Sequence, residues 1–256
     1  MTNDQRMTND SMTKRMKEPQ MRSGILLGLG MILVGAVFCF GEEKKIDAPK
    51  NDQGAHVLFN GKDLAGWDGN PKFWSVKDGV ITGMTTKEEP TKGNTFLIWK
   101  GGTLKDFELR VMWRLENHNS GIQYRSKDRG NWVVNGYQAD IADNDFLGIL
   151  YEEGGRGILA NVGEKVTIPA GGKPQKTGTV GEKADIKKGV NHKEWNEYVI
   201  ICKGNHIEQK LNGKTTVDVM DDDAAKRAME GILAFQLHAG PPMVVQFKEV
   251  TLKVLE

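Results

Sequence analysis

The chain has 256 residues, with 35 lysines and arginines against 34 aspartates and glutamates and a net charge of +1. That balance supplies no basic field of the kind nucleic acid binding needs, and the length fits one large domain or two small ones. Two cysteines, Cys39 and Cys202, exclude a disulfide framework and a cysteine metal cluster.

Residues 1–20 repeat the tetrapeptide MTND and offer several methionines as starts, of which Met16 or Met21 is taken as the real one. From Met21 the chain reads as an export signal, with Arg22 as its charged region and an uncharged run over 23–41. Cys39 and Gly41 are small residues before a cut ahead of Glu42, so cleavage is expected, and Phe38 argues against lipid attachment at Cys39. The expectation is an exported protein, periplasmic or extracellular; the alternative is a membrane anchor formed by the retained run. Residues 42–54 are charged, poor in apolar side chains and contain Pro49, which reads as a linker. The globular domain is expected over 55–256.

It opens with a short strand at 56–59 and the turn NGKDLAGW, ending in Trp67. A hairpin crosses Lys77-Asp78-Gly79, because Asp-Gly suits the two positive-φ positions of a type I′ turn. Residues 95–99 form another strand. Three strand-like runs follow within 107–143. Leu109, Val111, Trp113 and Leu115 alternate with Arg110, Met112 and Arg114; Ile122 and Tyr124 with Gln123 and Arg125; Tyr137, Ala139 and Ile141 with Gln138 and Asp140. A period of two puts the apolar set on one face and the polar set on the other. If the three runs share a sheet, one face gathers Arg110, Arg114, Gln123, Arg125, Gln138 and Asp140. Such alternation is also the ordinary pattern of a sheet with one wet face. Short hydrogen-bonding side chains with few lysines suit a polyhydroxylated or anionic ligand.

GILYEEGGRGILAN (148–161) is a glycine-rich loop around Arg156, either a connector or a cover for a ligand, and Gly154, Gly155 and Gly157 permit close backbone approach. Residues 169–189 form a long surface excursion, a feature often functional in compact domains. Hairpins follow around Lys203-Gly204-Asn205 and Asn212-Gly213. Residues 221–230, with Ala224, Ala225 and Ala228, are the single helical candidate. In the last pair of strands Phe235 and Leu237 face inward while Gln236 and His238 share the outward register. Many short alternating strands with regular turn signals predict an all-β sandwich or jelly roll with two antiparallel sheets. The five histidines show no close ligand pair, so no metal site and no cofactor is predicted; a calcium ion held by loop oxygens would leave no mark at this level.

LFNGKDLAGW (58–67), DFELRVMWRL (106–115), NSGIQYR (119–125), GYQADIAD (136–143), EWNEYVI (194–200) and GILAFQLHAG (231–240) together resemble the 3-keto-disaccharide hydrolase domain family. The blocks keep the family's order and span the whole expected domain. The resemblance implies a concanavalin-like jelly roll acting on 3-keto-glycosides in bacterial envelopes, and many members are exported. The chain departs from the family at the third strand, where many members read G-Y-E-x-Q-I-x-D. Here Gln138 replaces the glutamate and Asp140 the glutamine, so Asp140 is the available acid.

Two function classes stay open. A two-carboxylate glycosidase needs its acid and nucleophile roughly 5–5.5 Å apart for retention; Asp140 and Asp143 have odd spacing and point to opposite faces, so Glu152 or Glu153 would have to supply the partner. A non-catalytic carbohydrate-binding module needs platforms, for which Trp132, Tyr137 and Tyr151 offer themselves, Tyr137 from core register. The resemblance favours an enzyme. It implies elimination next to a C3 ketone, with Asp140 or His238 as base, Arg125 and Gln138 on the enolate, and Tyr151 as an acid. The substrate-contacting set is then Arg110, Arg114, Gln123, Arg125, Gln138, Arg156 and Gln236, around a small oligosaccharide or keto-glycoside.

Overall fold

The computed structural model describes residues 46–256, and the export-signal reading of 1–41, with Cys39, lies outside the described residues. In chain order the first strands are β1 (His56–Val57), β2 (Trp67–Asp68), β3 (Trp74–Lys77), β4 (Val80–Met84) and β5 (Thr95–Trp99). Then come β6 (Phe107–Glu116), β7 (Asn119–Asp128), β8 (Val134–Ala142), β9 (Leu150–Glu153) and β10 (Gly157–Ala160). β11 (Glu164–Ile168), β12 (Gln175–Thr179) and the helix α1 (Lys183–Lys187) precede β13 (Asn196–Lys203), β14 (His206–Leu211) and β15 (Lys214–Asp221). β16 (Ile232–Leu237) and β17 (Val244–Val254) close the chain.

These strands build a jelly-roll sandwich. One sheet runs β12-β11-β15-β14-β13-β6-β17-β4-β3, with β1 added on β17; the other runs β10-β9-β8-β7-β16-β5-β2. Pairing is antiparallel except between β11 and β15. The hairpin turns follow their sequence chemistry: Asp78 and Gly79 have φ of 52° and 75°, Asn212 and Gly213 of 48° and 80°. Between the sheets lies a continuous apolar core, including Leu109, Val111, Trp113, Ile122, Tyr124, Tyr137, Tyr198 and Phe235. Phe235 stacks on Trp67 at 5.0 Å and on Phe247 of the opposite sheet at 4.0 Å.

Three expectations change. Residues 221–230 are not helical. Asp221 ends β15, and the backbone then turns through bonds from Lys226 and Arg227 N–H to Asp223 O. The segment's polar groups go to tertiary partners: Asp221 and Asp223 are buried, and Ala228 N–H donates to the Tyr137 hydroxyl. Those contacts outweigh the alanines' weak helical preference. The helix sits instead at α1, inside the excursion expected to be loop. Second, β6 belongs to the larger sheet while β7 and β8 belong to the smaller, so the three central runs do not share a face. Asn117 and His118, with φ of 64° and 71°, carry the chain from one sheet to the other. Third, residues 46–54 lie on the domain: Asp47 N–H donates to Gly101 O, Val57 N–H to Pro49 O, and Ile46 and Ala48 pack on the core.

Candidate active site

On the outer face of the smaller sheet, β8 and β9 present Gln138, Asp140, Tyr151 and Glu153 side by side. The register pairs Gln138 with Tyr151 and Gly136 with Glu153. With His238 after β16, Asn94 before β5, and Asn119 at the start of β7, they line a cleft of about 250 Å³. Phe146, Ile149 and Ile158 complete its wall. One side is therefore a set of amides, carboxyls and an imidazole, and the other is apolar.

A directed chain of buried amides ends on Asp140. Ser126 Oγ donates to Gln123 Oε1 (2.7 Å), Gln123 Nε2 to Gln138 Oε1 (2.8 Å), and Gln138 Nε2 to Asp140 Oδ1 (2.5 Å). Asn119 Nδ2 reaches Asp140 Oδ2 at 3.3 Å. Gly121 faces Asp140 across the β7–β8 pair, and its missing side chain makes room for Gln138; a Cβ there would lie 2.4 Å from Gln138 Cδ. Asp140 is 5% exposed. Burial pushes its carboxyl up to about 7 against the two amide donors that favour the ionised form, and the neighbouring Glu153 charge pushes the same way. Burial first, then the charges of Glu153 and Asp140, raise the Tyr151 phenol, so it stays neutral and able to donate. Glu153 accepts from Gln236 Nε2 (3.2 Å) and Asn94 Nδ2 (3.4 Å).

The imidazole of His238 is fixed by two contacts. Its Nδ1 lies 2.6 Å from Ala239 O and 3.1 Å from His118 Nε2, and the two rings meet edge to face at 4.7 Å. A carbonyl oxygen at 2.6 Å requires the proton on Nδ1. Neutral His238 then carries its lone pair on Nε2, which has no hydrogen-bond partner among the described residues. Gly240 makes the arrangement possible, since a Cβ there would lie 2.5 Å from His118 Nε2. Among the described residues no group of three or more histidine, cysteine, aspartate or glutamate side chains is set to hold a metal ion.

The structure thus brings together Asp140, His238, Tyr151 and Gln138. Gln123 and Gln236 are fully buried one layer behind, the first holding Gln138 and the second Glu153. The arginines lie elsewhere. Arg125 follows Tyr124 inward because β7 bulges opposite Gly136, and its φ is 46°. It is 1% exposed and binds Lys105 O, Gly204 O and Asp106, pinning the two sheets together. Arg156 also turns to the inner side, where Glu152, Asp221 and the Tyr137 hydroxyl take its guanidinium. Arg110 and Arg114 are on the larger sheet's outer face, against Glu108 and Glu197, and against Gln246 and Trp195. Of the proposed platforms only Tyr151 lines the cleft: Tyr137 is core, and Trp132 donates to Asp68.

Sequence reasoning named Glu153 only as a fallback carboxylate and missed Asn94, Asn119, His118 and the apolar wall. Asn119 was within reach of the pattern, since it shares the register of Gly121 and Gln123. His118 was not, because its place depends on a corner between sheets.

Similar structures are known. A proposed glycosyl hydrolase from Parabacteroides distasonis ATCC 8503 is 23% identical over 78% of this chain and 99% of its own, with a TM-score of 0.53. A second from the same organism is 24% identical over 79% and 94%, with a TM-score of 0.52. The carbohydrate-binding module CBM66 from Bacillus subtilis is 14% identical over 73% and 95%, with a TM-score of 0.50. At these identities the likeness establishes a shared fold. A search of curated protein sequences gave no significant match. The 3-keto-disaccharide hydrolase family model, described as a 3-keto-alpha-glucoside-1,2-lyase-like domain, matches residues 54–253, and the chain belongs to that family of carbohydrate-active enzymes.

Proposed function

We propose that the protein cleaves 3-keto-glycosides by removing the C2 proton and expelling the C1 oxygen. The observation that carries this reading is one cleft lined by both an imidazole fixed through its Nδ1 and a carboxyl group that is 5% exposed, His238 and Asp140. A ketone at C3 acidifies C2–H because the resulting anion spreads onto the carbonyl oxygen. His238 Nε2 takes that proton, and the C–H electron pair moves into the enolate. Tyr151 and the side-chain amide of Asn119 donate to the enolate oxygen, contacts worth roughly 2.7–4 kcal/mol each in other enzymes. The enolate pair then forms the C1=C2 bond as the C1–O bond breaks, and Asp140 gives its proton to the departing oxygen. Water adding across C1=C2 completes a net hydrolysis.

The reaction depends on Asp140 being protonated and His238 neutral, so kcat falls as pH rises past about 7. Asp140→Asn removes the transferable proton and lowers kcat by about 10²–10⁴-fold with substrates whose leaving group is an alcohol.

A second reading is direct glycoside hydrolysis, favoured by Glu153, which puts a second carboxylate beside Asp140. Heavy water separates the two. Elimination exchanges or loses the C2 hydrogen of a 3-keto-glucoside and leaves the unoxidised glucoside intact. Equal cleavage of both sugars with the C2 hydrogen retained selects direct hydrolysis. A keto sugar bound unchanged after long incubation selects a binding module.

A further inference from the structure

We infer that the apolar wall of the cleft is a leaving-group subsite, and that it selects 3-keto-glycosides whose aglycone is apolar over those whose leaving group is a second sugar. The inference rests on the keto-glycoside reading above. Phe146 and Ile158 are 50% and 41% exposed, among the few large apolar side chains left in contact with water in the described residues, and both stand on the rim of this one cleft. Ile158 pairs with Tyr151 across β9–β10, and Tyr151 pairs in turn with Gln138, the donor to Asp140. Exposed apolar side chains converging on a polar pocket mark a binding surface. Ile158 has neither a flat ring for a sugar to stack on nor a group to pair with hydroxyls. A sugar pressed against it would lose the water on its hydroxyls without compensation. A hydrocarbon ring would gain by being covered.

The wall is also held in place. In the β8–β9 turn, Phe146 N–H donates to Asn144 Oδ1 (2.9 Å). Two lysines of α1 tie down the same turn: Lys183 Nζ binds Asp145 Oδ1 (2.7 Å), and Lys187 Nζ binds Asn144 O (3.3 Å) and Asp145 O (3.2 Å). Ile186 of α1 packs with Ile149 and Val162 in a small cluster that Tyr151 and Val180 adjoin. The excursion of 169–189 thus supports the wall from behind, which gives α1 a place in the site.

The test compares 3-keto-glucosides of one anomer carrying methyl, cyclohexyl or glucosyl leaving groups. Methanol and cyclohexanol leave with similar difficulty, so the ratio of their kcat/KM reads contact with the wall. The expected order puts cyclohexyl about tenfold above methyl and above glucosyl, from the burial of one hydrocarbon ring. Phe146→Ala and Ile158→Ala lower the cyclohexyl-to-methyl ratio of kcat/KM several-fold. Equal values for cyclohexyl and methyl, a preference for glucosyl, or an equal loss on all three substrates in the variants would overturn the subsite. If none of the three is turned over, the proposed reaction fails instead. Calorimetric binding of cyclohexyl and methyl glucosides to the parent and to Phe146→Ala then decides the subsite by itself, with loss of the cyclohexyl advantage in the variant expected and its retention overturning the inference.

Discussion

A carboxyl group 5% exposed beside a second carboxylate resists ionisation, and for Asp140 that resistance has a cost to the fold as well as a use in chemistry. Its proton is held to about pH 7 in the folded chain and released near 3.8 in the unfolded one. Stability from this group is therefore full below about pH 4 and lost as pH rises through about 7. Asp140→Asn cannot ionise and keeps an acceptor for Gln138. Its stability relative to the parent should rise by on the order of 2–4 kcal/mol between pH 4 and pH 8, read from urea unfolding at both values. A constant difference across that range would mean that Asp140 titrates like a carboxylate in water. Gly121 makes a second prediction at this scale. A methyl group there meets Gln138 Cδ at 2.4 Å and Cγ at 2.5 Å, and Gln138 is tied at both ends by Gln123 and Asp140. Gly121→Ala is expected to cost about 1–3 kcal/mol and to lower activity further than the lost stability explains, because the acid group moves with its donor. Thermal unfolding and activity well below the midpoint separate the two effects.

Elements decide which way such residues face, and much of that was legible. The period-two runs gave the strands, and Asp78-Gly79 and Asn212-Gly213 gave their turns. Gln138 with Asp140, and Gln236 with His238, were correctly read to the face opposite Tyr137 and Phe235, because alternation fixes sides within one strand. Alternation does not say which sheet a strand joins, so Arg110 and Arg114 were grouped with residues on the other side of the molecule. Nor does it mark a bulge, which turned Arg125 inward one residue after Tyr124. Arg156 shows the same limit for loops. Its glycines suggested a cover for a ligand, but Asp221, 1% exposed, is a stronger attraction than solvent or sugar. Arg156→Met leaves that carboxylate buried without its cation, next to the Tyr137 hydroxyl. The expected loss is about 3–5 kcal/mol in chemical denaturation, with the replacement's similar length doing little to offset it. A loss below 1 kcal/mol would show that water reaches Asp221 and that the clamp between β9–β10 and β15 is incidental.

At the scale of the whole molecule the two sheets carry different outer faces over one shared core. The smaller sheet's outer face holds buried amides, a retained proton and the apolar wall. The larger sheet's outer face holds two partnered arginines: Arg110 between Glu108 and Glu197, and Arg114 against the Gln246 amide and the Trp195 ring, 4.8 Å from its centroid. Lys248 approaches the same ring at 4.5 Å. The exposed pairs of Arg110 contribute little to stability, and screening by salt reduces it further; Arg114 is half-buried but its contacts are local to this face. The core between the sheets, with Trp113, Tyr198 and Phe247 packed in it, separates these arginines from Asp140 and His238. Arg110→Ala and Arg114→Ala should therefore each change stability by no more than about 0.5 kcal/mol and kcat/KM by no more than about twofold. The sequence alone placed both on the substrate face, so this pair of variants tests the sheet assignment through function. A tenfold loss of kcat/KM in either variant, with its unfolding midpoint unchanged, would put the substrate on the larger sheet and remove the smaller sheet's cleft as the site of reaction.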